Sequence, residues 1–202
     1  MNSTQEDNVI CLACSVFKDD LIQLQKTEKL PFNKIDYFDS MLHMYPERLE
    51  SEVFPRVFKA VTDGLNVLLL YGDCHPLMNE FELNKHVVRV AGVNCYQLIL
   101  GMKRYKTMQR EDTFFLLPEW VNRWQEVFRV HLGLDNQHIA REFMQDFFKQ
   151  IVYIHTGKAI IADNYFKEIE AFTGLPVKVL DVGLNHLKRA IIESFNRLKQ
   201  KI

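Results

Sequence analysis

A long hydrophobic run is the first feature that this sequence lacks. No window approaches the roughly 18 uninterrupted apolar residues that a membrane-spanning helix requires. The first residues, MNSTQEDNVI, have neither the positively charged segment nor the long apolar segment of a secretory signal peptide. The sequence therefore predicts a cytoplasmic protein that does not contact a membrane.

The sequence also lacks an excess of charge of one sign and a high content of cysteine. The net charge of −1 provides no global positive field, so we expect no nucleic acid as a partner. Four cysteines in a cytoplasmic chain of this size argue against a disulfide framework. The cysteines are therefore thiols, metal ligands or core residues.

Several motifs of common enzyme classes are absent. The sequence has no phosphate loop, no GxGxxG after a strand, no GxSxG and no HExxH. It also has no paired CxxC motifs of the zinc-ribbon type. Nucleotide binding, hydride transfer and serine-hydrolase chemistry therefore have no positive support.

Short apolar runs alternate with amphipathic stretches, a pattern typical of βαβ units. It predicts strands at 8–13, 33–38, 66–71, 86–91, 113–117, 150–155 and 177–181. Helices are predicted at 17–27, 45–62, 95–105, 118–129, 164–172 and 184–199. A further helix is predicted to begin at the cap residue Asp135 and to run to Lys149. Ile139, Phe143 and Phe147 share one face of this helix. Pro55 predicts a kink or a break in the second helix. The predicted fold is a single α/β domain over residues 1–202, an open, mostly parallel sheet with helices on both faces (Rossmann-like, doubly wound).

Three cysteines each follow a predicted strand: Cys14, Cys74 and Cys95. The carboxyl ends of parallel strands gather at one edge of a sheet, where ligands bind. Three thiols there could hold a metal, an iron–sulfur cluster or a reactive sulfur species, or they could be small buried hydrophobic residues. Cys11 lies inside its apolar run and is interpreted as a core residue.

The loops around these cysteines contain further candidates. Gly72 permits a tight exit from the strand and leaves room for a ligand, and Asp73 could orient His75 or cap the next turn. His75 could be a proton donor or only part of the loop surface. Asn94 is a candidate helix cap, and it would place Cys95 near a helix N-terminus, where a thiolate is stabilised.

Residues that could act as ligands or catalytic groups also follow the later predicted strands. Glu119 could be a ligand or a base, or it could only favour the first turn of its helix. Trp120 lies four residues from Trp124, a spacing that fits a core stripe or a stacking platform. His155, at the end of another strand, is a further candidate catalytic residue.

The segments LACSVFKDDL, LLLYGDCHPL, GVNCYQLILGMKRY, DTFFLLPEWVNRW and VYIHTG resemble the family called domain of unknown function 1638. The matching positions are Cys14, Gly72, Cys74, Cys95, Gly101, Thr113, Pro118, Trp120 and Gly157. The sequence departs from the family pattern at Ser15, His75, Glu119 and His155. The resemblance implies an association with corrinoid-dependent methyltransferases.

These observations support a metal-binding protein in which Cys14, Cys74 and Cys95 hold zinc or an iron–sulfur cluster for methyl or sulfur transfer. The candidate catalytic residues are His75, Glu119 and His155, and the candidate cofactor-binding residues are Gly72, Asp73, Asn94 and Trp120. An alternative is a non-enzymatic accessory protein that binds a corrinoid, a metal or a partner protein. A thiol redox enzyme that uses two of the cysteines is a third hypothesis. The partner is expected to be a small-molecule substrate or a corrinoid protein.

Overall fold

The computed structural model describes residues 8–157 and 163–202 of the chain. In this part of the chain every predicted strand is found: β1 (Val9–Cys14), β2 (Lys34–Phe38), β3 (Asn66–Leu70), β4 (Val87–Arg89), β5 (Thr113–Leu116), β6 (Gln150–His155) and β7 (Val177–Asp181). The α-helices are α1 (Lys18–Thr27), α2 (Pro46–Thr62), α3 (Cys95–Leu100), α4 (Met102–Gln109), α5 (Pro118–Asn122), α6 (Gln137–Phe147), α7 (Asp163–Thr173) and α8 (Asn185–Lys201). Short 3₁₀ segments lie at Ser15–Phe17, Ser40–Met44 and Pro76–Leu83, and a π-helical turn lies at Glu126–His131.

The strands form two parallel sheets, which confirms the α/β class. The first has the order β2-β1-β3-β4 and the second the order β5-β6-β7. The expectation of one open sheet is therefore wrong. Hydrophobic patterns locate strands, but they contain no information about which strand pairs with which.

The chain divides into two compact units. Unit 1 consists of Met1–Ile99 and Leu184–Ile202, and unit 2 consists of Leu100–Gly183. The single domain over residues 1–202 stays a prediction. In the described ranges, no helix is long and apolar enough to cross a membrane.

Unit 1 is built on a fully buried β3 with β1 beside it. One face of these strands packs with α2 in a hydrophobic cluster that includes Leu12, Leu69, Val53 and Val57. Helix α2 continues through Pro55, so the predicted break does not occur. Pro55 lies on the exposed side of α2, and the burial of its opposite face offsets the lost backbone hydrogen bond.

Unit 2 is built on β6, which lies between β5 and β7. The structure corrects the predicted orientation of α6, because Ala140 and Met144 are buried. Its predicted apolar face, formed by Ile139, Phe143 and Phe147, is exposed. The cap of α6 is Asn136 rather than Asp135, since its side chain accepts hydrogen bonds from the backbone N–H groups of the first turn.

Two predicted helices are interrupted. The helix predicted at 95–105 is divided at Gly101, whose φ of +79° is a left-handed conformation that glycine adopts without strain. The helix predicted at 118–129 ends as α5 at Asn122, and the π-helical turn follows.

Candidate functional site

The three candidate cysteines lie at or after the carboxyl ends of adjacent strands of the first sheet. Cys14 is the last residue of β1, Cys74 follows β3, and Cys95 begins α3 after β4. Strands β1 and β3 pair side by side, and the strand order reverses between them. In open α/β sheets, ligands bind at the carboxyl ends of the strands at such a reversal point.

The cysteines differ in exposure. Cys14, Cys74 and Cys95 are partly exposed, whereas Cys11 is fully buried within β1, which confirms its interpretation as a core residue. All four, which lie in the described part of unit 1, are free thiols.

The loops that contain Cys74 and Cys95 are in direct backbone contact. The N–H of Asp73 donates a hydrogen bond to the carbonyl oxygen of Val93 at 2.9 Å. A Cβ atom at Gly72 would lie only 2.5 Å from the Cα of Asn94. Gly72 is therefore required for this close approach, and the space that the sequence reserved for a ligand is occupied by the backbone of the neighbouring loop.

Cys14, Cys74 and Tyr71 pack on the same face of the first sheet. Tyr71 belongs to the hydrophobic cluster under α2, and both cysteines pack against that cluster. Burial raises the pKa of Tyr71, and negative charge on Cys14 or Cys74 raises it further.

Burial also raises the pKa of the Cys74 thiol. A backbone hydrogen bond from Gly72 and the positive charge of Arg89 partly offset this effect. The net effect favours the neutral thiol of Cys74 over its thiolate.

Arg89, the last residue of β4, connects the two loops. Its guanidinium group is 2.7 Å from a carboxylate oxygen of Asp73. It also donates hydrogen bonds to the carbonyl oxygens of Tyr71 and Gly92, at 3.3 and 3.0 Å, and to the side chain of Asn79 at 2.8 Å. Only 8% of its side chain is exposed, so this cation is held within the unit.

His75 is engaged in the local structure. Its Nδ1 accepts a hydrogen bond from the N–H of Leu77 at 3.2 Å, which caps the 3₁₀ segment Pro76–Leu83. The neutral ring therefore has its hydrogen on Nε2, which lies 3.6 Å from a carboxylate oxygen of Glu50. Phe54 packs edge-on against the ring. A catalytic role for His75 stays a prediction.

Asn94 caps α3, as its position suggested. Its side chain accepts a hydrogen bond from the N–H of Gln97 at 2.9 Å, and the Gln97 side chain accepts one from Val93 at 3.0 Å. The pair resembles a capping box, except that Gln97 binds the N–H of the residue before the cap rather than that of Asn94, and it fixes the backbone at Cys95.

The remaining predicted site residues belong to unit 2. Glu119 lies in α5 with its carboxylate 3.6 Å from Arg123. Trp120 is buried, which agrees with the core interpretation. His155 ends β6, and its Nδ1 lies 2.6 Å from a carboxylate oxygen of Asp181 at the end of β7. Only His75 among the candidate catalytic residues therefore shares a unit with the cysteines.

The candidate metal ligands at the carboxyl ends of β1, β3 and β4 are the cysteine thiols. Within residues 8–157 and 163–202, no group of three or more His, Cys, Asp or Glu side chains is arranged to hold a metal ion. The donor set is nevertheless of the soft type that zinc and iron accept. The glycine-dependent contact holds the loops of Cys74 and Cys95 together at this edge.

The fold and this edge define the class: an α/β protein with a candidate ligand site at the carboxyl ends of β1, β3 and β4. The chain belongs to the family described as proteins of unknown function, DUF1638, whose family model matches residues 37–191. Neither the curated proteins nor the solved structures include a match.

The local sequence predicts no role for Tyr71 or Arg89. A signal for Arg89 is present, because it is a charged residue inside the apolar run HVVRVAG. A cation in a buried strand requires hydrogen-bonding partners nearby. Tyr71 gives no comparable signal, since an aromatic residue at the end of a strand is common.

Proposed function

We propose that this protein binds a metal through Cys14, Cys74 and Cys95, as zinc or as an iron–sulfur cluster. The observation that supports the proposal most directly is the position of Cys14 and Cys74, which pack against one cluster at the ends of the adjacent strands β1 and β3. The loop of Cys95 contacts the loop of Cys74 through the backbone. The proposal requires the three sulfur atoms to move toward one point when the metal binds.

The chemistry at such a site follows from its ligands. Cys14, Cys74 and Cys95 would hold the metal and leave one open position, where zinc would keep a further sulfur ligand deprotonated or a cluster iron would accept a sulfur ligand. The protein would supply the three thiols and shield them from water. Each thiol would release its proton when the metal binds. Methyl or sulfur transfer, with a corrinoid protein or a small molecule as the partner, is the reaction class that we propose for the open position. The predicted cytoplasmic location agrees with this proposal, because a reducing compartment keeps thiols available.

Metal analysis of the protein purified without oxygen tests the proposal. We expect about one zinc, or iron with sulfide and visible absorption, per chain. Cys95→Ala should reduce the bound metal sharply, because it removes one of three ligands. Cys11→Ala is the matched control, since it removes a thiol that is fully buried in β1.

An unchanged metal content in Cys95→Ala would overturn the three-cysteine site. Absence of metal from the wild-type protein, both as purified and after incubation with zinc or with iron and sulfide, would also overturn it. The binding-protein alternative would then be the leading hypothesis. Reversible formation of a disulfide between two of the three thiols would instead favour the redox hypothesis.

A further inference from the structure

An apolar pocket lies in unit 1 between α2 and the 3₁₀ segment Pro76–Leu83. Its volume is about 290 Å³. The rings of Phe54 and Phe81, one from each element, pack edge to face, with centroids 4.6 Å apart and planes at 83°. The apolar side chains that line the pocket are mainly Phe54, Val57 and Phe58 of α2 and Leu77, Phe81 and Leu83 of the 3₁₀ segment. Both elements therefore present an apolar wall to the pocket.

Large apolar side chains remain exposed at the rim of this pocket. Phe58 is 60% exposed and Leu83 is 88% exposed. The two residues belong to different elements but line the same pocket, so the exposed apolar surface surrounds a concave centre. Such a surface is typical of a binding site. The pocket and its rim therefore suit an apolar group that arrives from outside the chain.

Carboxylates surround the apolar rim. Glu80 lines the pocket itself. Glu47 and Glu50 line a more open depression along α2, which shares Phe54 and Phe58 with the pocket. The apolar surface therefore has negative charge on the side of α2 and on the side of the 3₁₀ segment.

The basic residues of α2 are paired with other carboxylates. Among the acids of the pocket and the depression, Glu50 lies 3.6 Å from the ring of His75. The ion pairs that involve the basic residues of α2 are Arg48–Glu52, Arg56–Asp36 and Lys59–Asp63. The negative charge beside the apolar surface is therefore complementary to a positively charged occupant.

The pocket and the depression form one groove along α2, which we call the α2 groove and which residues 47–61 and 77–83 line. At 1.5 Å per residue, its length along α2 is about 21 Å, or about four helical turns. The pocket alone is at the lower limit of small-molecule sites, which have volumes of about 300–1,000 Å³. A long groove with one small pocket suits a helix, because one apolar side chain enters the pocket and others contact the rim.

We propose that the α2 groove binds an amphipathic helix of a partner protein whose apolar face is flanked by lysine or arginine. An apolar side chain of that helix fills the pocket between Phe54 and Phe81, and its neighbours cover Phe58 and Leu83. The basic side chains face the carboxylates of the groove. The inference does not depend on the proposed metal site, and no result below alters the metal analysis.

Fluorescently labelled synthetic peptides test this inference with the full-length protein. The peptides are amphipathic helices with leucine, phenylalanine or methionine at positions i, i+3, i+4 and i+7 and lysine elsewhere. We expect saturable binding by fluorescence anisotropy. Phe58→Ser should lower the affinity about 10-fold or more, because it removes an aromatic contact at the centre of the groove. Serine and phenylalanine have similar helix propensities, so α2 should be retained.

Phe147→Ser is the matched control. Phe147 is 62% exposed at the end of α6 in unit 2, so the substitution removes an equally exposed ring outside the groove. This variant should bind the peptides with wild-type affinity. Glu80→Gln should weaken binding at low salt and reduce its dependence on salt, because it removes one carboxylate from the rim. Peptides with glutamate in place of lysine should bind about 10-fold more weakly or worse.

Four results would overturn the inference. The first is no binding of any peptide by the wild-type protein, and the second is an equal loss of affinity in Phe58→Ser and Phe147→Ser. The third is binding of phenethylamine, a small aromatic cation, as tightly as the peptides, which would show a small-molecule site. The fourth is a wild-type dimer that Phe58→Ser dissociates in sedimentation experiments, which would assign the groove to a second copy of this chain.

Discussion

Arg89 shows how one side chain joins two segments that the sequence keeps apart. Its guanidinium group contacts Asp73 and Tyr71 on one loop and Gly92 on the other. Arginine suits this position, because its planar fork presents several N–H donors in fixed directions. The contact between the loops of Cys74 and Cys95 therefore depends on a buried cation as well as on Gly72.

Arg89→Met should destabilise the protein by about 1–3 kcal/mol, because it leaves the carbonyl oxygens of Tyr71 and Gly92 without their donor. Arg89→Lys should recover part of this loss, since it retains the charge but not the fork. Chemical denaturation measures both effects. Arg48→Met is the control, because Arg48 pairs with Glu52 on an exposed surface and such pairs contribute about 0–1 kcal/mol. Equal losses in Arg89→Met and Arg48→Met would contradict the importance of the buried guanidinium group.

At the scale of the element, the π-helical turn Glu126–His131 contains a small charged network. The carboxylate of Glu126 accepts hydrogen bonds from Arg123 at 2.6 and 3.0 Å, and it lies 3.1 Å from His131. Both partners hold the pKa of Glu126 below its ordinary value, with the hydrogen bond to Arg123 as the largest cause. The network therefore stabilises the ionised carboxylate in the folded protein.

The pH dependence of this turn follows from the lowered pKa. The contribution of Glu126 to stability is fully present above its unfolded-state pKa and is lost as the pH falls through the folded-state pKa. Arg123→Gln should raise the pKa of Glu126 toward its ordinary value and reduce this acid sensitivity. A carbon-detected NMR titration of the Glu126 carboxyl group measures the change. An identical titration midpoint in wild type and Arg123→Gln would contradict the network.

At the scale of the whole molecule, the two units carry different spectroscopic probes. Both tryptophans, Trp120 and Trp124, are buried in unit 2. Tryptophan fluorescence therefore reports the unfolding of unit 2, whereas far-UV circular dichroism reports helices and strands of both units. This asymmetry allows the predicted single domain to be tested without dividing the chain.

A single domain predicts that a defect in unit 1 also lowers the midpoint of the fluorescence transition. Leu68 is fully buried in β3, and Leu68→Ala should cost about 2–5 kcal/mol. We expect denaturant-induced unfolding of this variant to show equal shifts by fluorescence and by circular dichroism. Leu116→Ala, at a fully buried position of β5, is the control that perturbs unit 2 directly. A fluorescence midpoint that Leu68→Ala leaves unchanged would show that the units unfold independently.

Much of the candidate site was predictable from local sequence. The unbroken apolar run of β1 separates Cys11, inside the strand, from Cys14, at its end. The capping role of Asn94 follows from its place before a helical segment, and the hydrogen bond with Gln97 bears it out. Tyr71 and Arg89 could not be assigned in this way, because their significance comes from groups on other loops.

The exposed face of α6 illustrates the same limit. Ile139, Phe143 and Phe147 form a regular apolar stripe, yet the buried residues are Ala140 and Met144. Periodicity identifies the stripes of a helix, whereas the neighbouring elements decide which stripe is covered.

The amino-acid sequence by itself determined the α/β class, the positions of the seven described strands and the location of three cysteines at or after the ends of strands. These features depend on local hydrophobic patterns and turn residues, which act over a few positions of the chain. Only the tertiary structure decided that the strands form two sheets, that Glu119 and His155 belong to a different unit from the cysteines, and that Cys14 and Cys74 pack against one hydrophobic cluster. These features depend on contacts between distant segments, and burial and strand pairing select such contacts only when the whole chain has folded.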